Sequence, residues 1–221
     1  MSGFSAARKR MVDGQLRPNN VTDRRVLAAM LTVPREAFVP VNRRALTYLD
    51  LDLDVAEEGA TKRLLIRPSL TARLLQAAAI GETDNVLVVG CASGYMAALA
   101  AKLAARVTAT EGDSALALKA KRTLAALSVN NVSCKVADVA EGDPDGAPYS
   151  AIILNGATEV TPSVLLGQLR GGGRLVGVSA ETVPQQAMVV TVSHGRFGYR
   201  MLFEAAAPVV PGLEKVAAFV F

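Results

Sequence analysis

The 221-residue sequence has no tryptophan, one histidine and two cysteines, and only 5% of it is aromatic. The lone histidine, His194, excludes a histidine-rich zinc site and leaves any Ser-His-Asp triad dependent on one residue in a predicted turn. Cys91 and Cys134 form no Cys-x-x-Cys pair, and two cysteines make no disulfide framework for a chain of this size. No metal site is expected. Apolar runs such as residues 86–89 and 97–101 fall far short of the ~20 residues that span a bilayer. The first ten residues carry their charge at the end, on Arg8, Lys9 and Arg10, with no apolar core after it. They do not read as a secretory signal, and a cytoplasmic protein with no membrane partner is expected.

What is present reads as a folded globular chain: 51% hydrophobic and 20% charged. Its length fits one domain, or one with an appendage. The net charge of +4 is unevenly spread. Residues 1–50 hold nine Lys or Arg against Asp13, Asp23, Glu36 and Asp50, and the remainder is slightly acidic. A basic stretch of this kind serves either nucleic acid or a solvated helical face. The scarcity of aromatic stacking residues favours the solvated face, so no nucleic-acid partner is expected.

The first 50 residues read as helical. Thr22 or Asp23 caps a helix whose apolar face is Val26, Leu27, Met30 and Leu31, and Pro34 marks its end. Residues 50–60 alternate acids with apolar groups and then turn polar, which reads as an extended segment or loop. From Pro68 onward, strands and helices alternate. Val86-Leu87-Val88-Val89 is a strand buried on both faces. Strands near residues 107–110, 133–136, 151–154 and 174–178 follow, with helices after Gly94, Asp113 and Pro162. This pattern predicts a mostly parallel sheet with right-handed crossovers. Residues 188–203, folded about Ser193-His194-Gly195-Arg196, predict a closing antiparallel hairpin.

The turn after the first buried strand is Gly90-Cys91-Ala92-Ser93-Gly94-Tyr95. In an open α/β sheet, ligands bind outside the carboxyl ends of the strands, where glycine admits them to the backbone. Tyr95 stands where a dinucleotide fingerprint needs its last glycine, and that disfavours a nicotinamide oxidoreductase. Glu111, 21 residues after Gly90, ends the next strand and is placed to accept both ribose hydroxyls. Asp138, expected at the end of the third strand, suits an adenine amino group. Asn155, expected at the end of the fourth, stands beside the reaction site. Gly90, Cys91, Ala92, Gly94, Glu111, Asp138 and Asn155 are therefore the candidate nucleoside-binding set.

Gln15-Leu16-Arg17, Val21-x-Asp23-x-x-Val26-Leu27-x-Ala29-Met30, Val33-Pro34-Arg35-x-x-Phe38-Val39-Pro40 and Tyr48-x-Asp50 resemble the N-terminal signature of protein-L-isoaspartate O-methyltransferases. Residues 86–95 are similar to that family's cofactor motif. Val160-x-Pro162, Leu165-Leu166-x-Gln168-Leu169 and Gly172-Gly173-Arg174-Leu175-Val176 resemble its later elements. The resemblance implies a Rossmann-like methyltransferase fold, with a helical N-terminal extension over residues 1–60 and a cofactor-binding domain over residues 61–221, forming one compact unit.

It also implies S-adenosylmethionine as cofactor and the carboxylate of an isoaspartyl residue in damaged protein as methyl acceptor. A carboxylate is already a nucleophile at neutral pH, so alignment in a dry pocket replaces a general base. The sequence departs from the family pattern at three places. Val88 stands where an acid is usual, Ala92 replaces the middle glycine, and Ile66-Arg67-Pro68 stands at the family's Ser-Gln-Pro. The serine hydroxyl that meets the substrate is thus absent, which leaves Ile66, Arg67 and Asn155 as the candidate catalytic positions. Isoaspartyl transfer is expected to be weak or absent, even where the cofactor binds. These departures also admit an alternative, a catalytically weak or inactive methyltransferase-like binding module.

Overall fold

The structure is a computed structural model that describes residues 3–56 and 62–215. Helix α1 (Gly3–Met11) runs into a π-helical turn (Val12–Leu16), and α2 (Arg24–Thr32) follows. The Asp23 carboxylate caps α2 by accepting the N–H groups of Arg25 and Val26. Pro34 lies just beyond its end, as the sequence predicts. Two 3₁₀ turns (Arg35–Phe38 and Val41–Leu46) lead to a small antiparallel pair, β1 (Leu53–Asp54) with β2 (Leu64–Leu65). Residues 57–60 of the expected extended segment, and the expected boundary at residue 60, lie outside the described residues.

The alternating acids that precede this boundary have a structural use. Asp50 accepts the N–H of Ser69 at 2.9 Å, and Asp52 accepts that of Arg67 at 2.7 Å. Helix α3 (Pro68–Ala78) has proline in its first turn and no side-chain cap of its own. The distant carboxylate of Asp50 satisfies one of its free N–H groups. The Asp54 carboxylate accepts from Ala56 and Arg63 and pairs with Arg43.

The main sheet contains β3 (Asn85–Val89), β4 (Arg106–Glu111), β5 (Val132–Val136), β6 (Tyr149–Thr158), β7 (Leu169–Ser179), β8 (Gln186–Ser193) and β9 (Arg196–Glu204). Their spatial order is β5-β4-β3-β6-β7-β8-β9. The first five in that order are parallel, and β8 and β9 return antiparallel. The order reverses at β3, so the crevice between β3 and β6 is the topological switch point where α/β sheets take ligands.

Two cores explain the sequence of β3. Val86 and Val88 pack into the larger cluster, with α2, α3 and α4 (Tyr95–Ala101). Leu87 and Val89 pack into the other, with α6 (Ser163–Leu166) and residues 210 and 213. Both faces of the strand are buried, so alternation of polarity gives way to a continuous apolar run. Helix α5 (Ser114–Ala126), capped by Asp113, covers β4 and β5. No described helix is long and apolar enough to cross a membrane.

The N-terminal elements share the larger core, since Met11, Leu16, Met30 and Phe38 are all buried within it. The basic segment is correspondingly not a uniformly solvated face. Arg35 is fully buried, Arg8 pairs with Glu36 and donates to Tyr48, and Arg25 donates to the carbonyls of Ile80 and Leu103. The reason is geometric: carbonyls left free at turns and helix ends need donors, and long guanidinium side chains reach them.

Candidate functional site

A cavity of about 570 Å³ opens at the carboxyl ends of β4 and β5, within the usual range for small-ligand sites. Glu111, Gly112 and Asp113 form one wall, Asp138 and Val139 another, and Leu116 of α5 supplies apolar surface. Lys62, Arg63 and Pro211 close the remaining side.

Glu111 ends β4, as expected, and is 3% exposed. Its Oε2 accepts the N–H of Ala92 at 2.6 Å and a guanidinium N–H of Arg63 at 3.0 Å. Its Oε1 accepts the N–H groups of Gly112 at 3.1 Å and Asp113 at 3.4 Å. One carboxylate thus ties the glycine turn to the start of α5. Ala92 holds a left-handed φ of 50°, which glycine adopts freely and alanine pays for with about 1–2 kcal/mol. The bond to Glu111 offsets that cost.

Other expected residues sit differently from their predicted positions. Asp138 lies two residues beyond β5, exposed, where its carboxylate accepts the N–H of Ala140 and shapes the loop. Asn155 does not end its strand, because β6 runs on to Thr158 past an irregularity between Ile153 and Ala157. It is 1% exposed and donates to the Gly90 carbonyl at 3.0 Å, bridging the switch-point crevice. Its Oδ1 is buried with no partner among the described residues.

Gly94 precedes α4 with φ of 94°. That conformation favours glycine, and a Cβ there would also come 3.1 Å from the Ala120 Cβ of α5. The hydrogen bond with Cys134, and then burial, push the Cys91 thiol well above its ordinary range. It is a neutral thiol and no nucleophile. Val88 is buried in the larger core, where an acid would lack water.

The turn at Ile66-Arg67-Pro68 also differs from a substrate-facing loop. Ile66 is fully buried in the larger core, because its apolar side chain follows β2 inward. Its carbonyl accepts from Arg35 and Thr71. Arg67 donates to the Ala206 carbonyl at 2.9 Å and lies 3.9 Å from Asp52, so it ties this turn to the C-terminal segment.

Two contributors escaped the sequence reading. Arg63 precedes β2 and reaches Glu111 across 48 residues of sequence, a separation that no local pattern reveals. The segment after β9 runs beside β6: Pro208 accepts from Ala157, and Val210 donates back to it. Val210 and Leu213 are buried at the rim of the crevice.

Residues 6–210 match the family model described as protein-L-isoaspartate(D-aspartate) O-methyltransferase. A Rhodopseudomonas palustris protein named protein-L-isoaspartate O-methyltransferase 1 is 40% identical over 191 residues, covering 86% of this chain and 76% of that protein. A Koribacter versatilis protein-L-isoaspartate O-methyltransferase is 39% identical over 196 residues, covering 89% of this chain and 86% of that protein. Among solved structures, one of a protein-L-isoaspartate O-methyltransferase superimposes with a TM-score of 0.82 at 23% identity, covering 94% of this chain and 67% of the other. A Plasmodium falciparum structure of such a methyltransferase in complex with S-adenosyl-L-homocysteine gives 0.78 at 16% identity, covering 96% of this chain and all of the other. At these identities the structures speak for the fold.

Proposed function

Because the chain belongs to the protein-L-isoaspartate(D-aspartate) O-methyltransferase family, we propose that it transfers a methyl group from S-adenosylmethionine to the free carboxylate of isoaspartyl residues in damaged protein. The observation that carries this reading within the structure is the cavity at the carboxyl ends of β4 and β5, with a buried acid at the end of β4.

The residues fit an adenosyl group. Glu111 is placed for the ribose, Leu116 and Val139 offer apolar surface to the adenine, and Asp138 lines the same cavity. The turn Gly90-Cys91-Ala92-Ser93-Gly94 supplies backbone to the methionyl end, and Asn155 fixes the Gly90 carbonyl in place. When bound, the sulfonium supplies an electrophilic methyl group. The chain's part is to orient the acceptor carboxylate and exclude water, since that carboxylate needs no deprotonation at neutral pH.

The acceptor is proposed to approach over the N-terminal segment and the turn at residues 66–69. Arg10 and Arg44 line a second cavity of about 610 Å³ beside Tyr48, and their charge suits acidic peptide. No nucleic-acid partner belongs to this reading, because Arg8, Arg25, Arg35 and Arg43 spend their donors on internal acceptors. A cytoplasmic location goes with a substrate drawn from ageing intracellular protein. Calorimetric titration with S-adenosylhomocysteine tests the cofactor half of the proposal. One-to-one binding is expected, and its absence at millimolar ligand would refute the cofactor assignment.

A further inference from the structure

Arg63 occupies an unusual position for a residue outside the glycine motif. It is 6% exposed, and its guanidinium holds Oε2 of Glu111, the acid read here as the ribose acceptor. The same guanidinium lies over the glycine turn: a Cβ built on Gly90 would come 2.7 Å from Arg63 Nη2 and 2.5 Å from Val210 Cγ1. Gly90 is where a ligand would approach the backbone.

The hydrogen-bond capacity of Glu111 sharpens the point. A carboxylate offers about four acceptor sites. Here Arg63, Ala92, Gly112 and Asp113 direct four N–H groups at its two oxygens. Two ribose hydroxyls find no free lone pair while that arrangement holds. The three backbone donors are fixed by the turn and the start of α5, so the side chain of Arg63 is the donor that is free to leave. Its own satisfaction is incomplete, because Nε is buried with no partner among the described residues. A buried ion pair with an unsatisfied member is weakly held compared with a fully bonded one.

We propose that Arg63 is a latch on the cofactor cleft, whose guanidinium competes with the ribose of an adenosyl ligand for Glu111 and must swing away for the ligand to bind. The inference rests on the cofactor reading above. Arg63 sets cofactor affinity by subtraction: the ligand gains Glu111 only after the Arg63–Glu111 bond is broken. The purely structural alternative is that the pair only staples β2 to the sheet rim, in which case its removal costs stability and leaves ligand contacts alone.

The test uses the full chain with Arg63→Gln and, to keep the volume without donors, Arg63→Met. Both are checked for folding by circular dichroism and urea denaturation, then titrated with S-adenosylhomocysteine. The latch predicts binding at least about tenfold tighter than wild type, the equivalent of one hydrogen bond to a charged group. Adenosine and 2′,3′-dideoxyadenosine, compared by ligand-observed NMR, locate the effect. The variants should tighten adenosine and leave the dideoxy compound unchanged. On the wild type the two hydroxyls should add at least about tenfold less to affinity than on the variants, because part of the gain at Glu111 is offset by the single bond lost at Arg63. Wild-type binding with equal or weaker binding by both variants would overturn the latch and leave the cofactor assignment standing. A hydroxyl effect as large in wild type as in the variants would do the same. No binding by any form would overturn both.

Discussion

Replacing Glu111 by alanine is expected to destabilise the fold by about 3–5 kcal/mol and to weaken S-adenosylhomocysteine binding by about 10–100-fold. The first effect follows from the ion pair. The Glu111 and Arg63 side chains are 4% and 7% exposed, and removing the acid strands a guanidinium in a dry site. The N–H of Ala92 loses its acceptor as well, leaving an alanine in a left-handed conformation without its compensating bond. The second effect follows from the ribose, which loses its acceptor. Urea denaturation gives the first quantity and calorimetry the second. Glu111→Gln keeps an acceptor oxygen and should fall between alanine and wild type on both. A Glu111→Ala protein as stable as wild type, binding as tightly, would remove Glu111 from the site.

The second large effect is expected at Arg35. Its side chain is fully buried, donates to the Thr47 carbonyl at 3.0 Å and the Ile66 carbonyl at 2.9 Å, and lies 5.0 Å from the ring centre of Tyr95. Burial pushes the Tyr95 phenol up to about 12, so the ring that Arg35 faces is neutral. Burial also lowers the pKa of Arg35, with Tyr95, Asp52 and Tyr48 opposing it. Arg35 thus joins three parts of the chain: the N-terminal segment, the turn that leads into α3, and α4.

Arg35→Ala takes the side-chain donor from the Thr47 carbonyl, leaves the Ile66 carbonyl to Thr71 alone and opens a large void, at an expected cost of about 3–5 kcal/mol. Lysine cannot span both carbonyls, so Arg35→Lys should recover little. Arg35 does not touch the adenosyl cavity, and cofactor affinity of the folded fraction should change by less than about threefold, as for sites with no shared partners. The checks are denaturation midpoints for both variants and an S-adenosylhomocysteine titration of whichever remains folded. A change under 1 kcal/mol on the alanine variant would show that the buried contacts of Arg35 are not what holds these segments together.

The legibility of the fold differs between its parts for physical reasons. Strand β3 could be read because a strand buried on both faces must be apolar throughout, and Val86 to Val89 are. The caps Asp23 and Asp113 could be read because capping is local, a side chain bonding an N–H two or three residues on. Glu111 was found from its spacing after the glycine turn, which the βαβ unit fixes. Asn155 was placed at a strand end because nothing in Asn155-Gly156 announces an irregularity that carries β6 on to Thr158. Arg35 was counted with the solvated charges because sequence shows charge but not the free carbonyls that draw it inward. Ile66 was read through a substrate-facing serine, yet its side chain serves the core. For that reason Ile66→Ser is expected to cost packing in the larger core. Arg63 and Val210 were invisible because their roles depend on contacts between distant segments.

The most direct test of the central claim is radiolabelled methyl transfer from S-adenosylmethionine to an isoaspartyl peptide, beside the same peptide with normal aspartate. The account predicts slow, base-labile labelling of the isoaspartyl peptide alone. It is slow because Ile66 offers the acceptor no hydroxyl and Arg63 opposes the cofactor. It is selective because isoaspartyl methylation is the activity for which the family of this chain is named. Equal labelling of both peptides, or labelling of neither while S-adenosylhomocysteine binds, would contradict it.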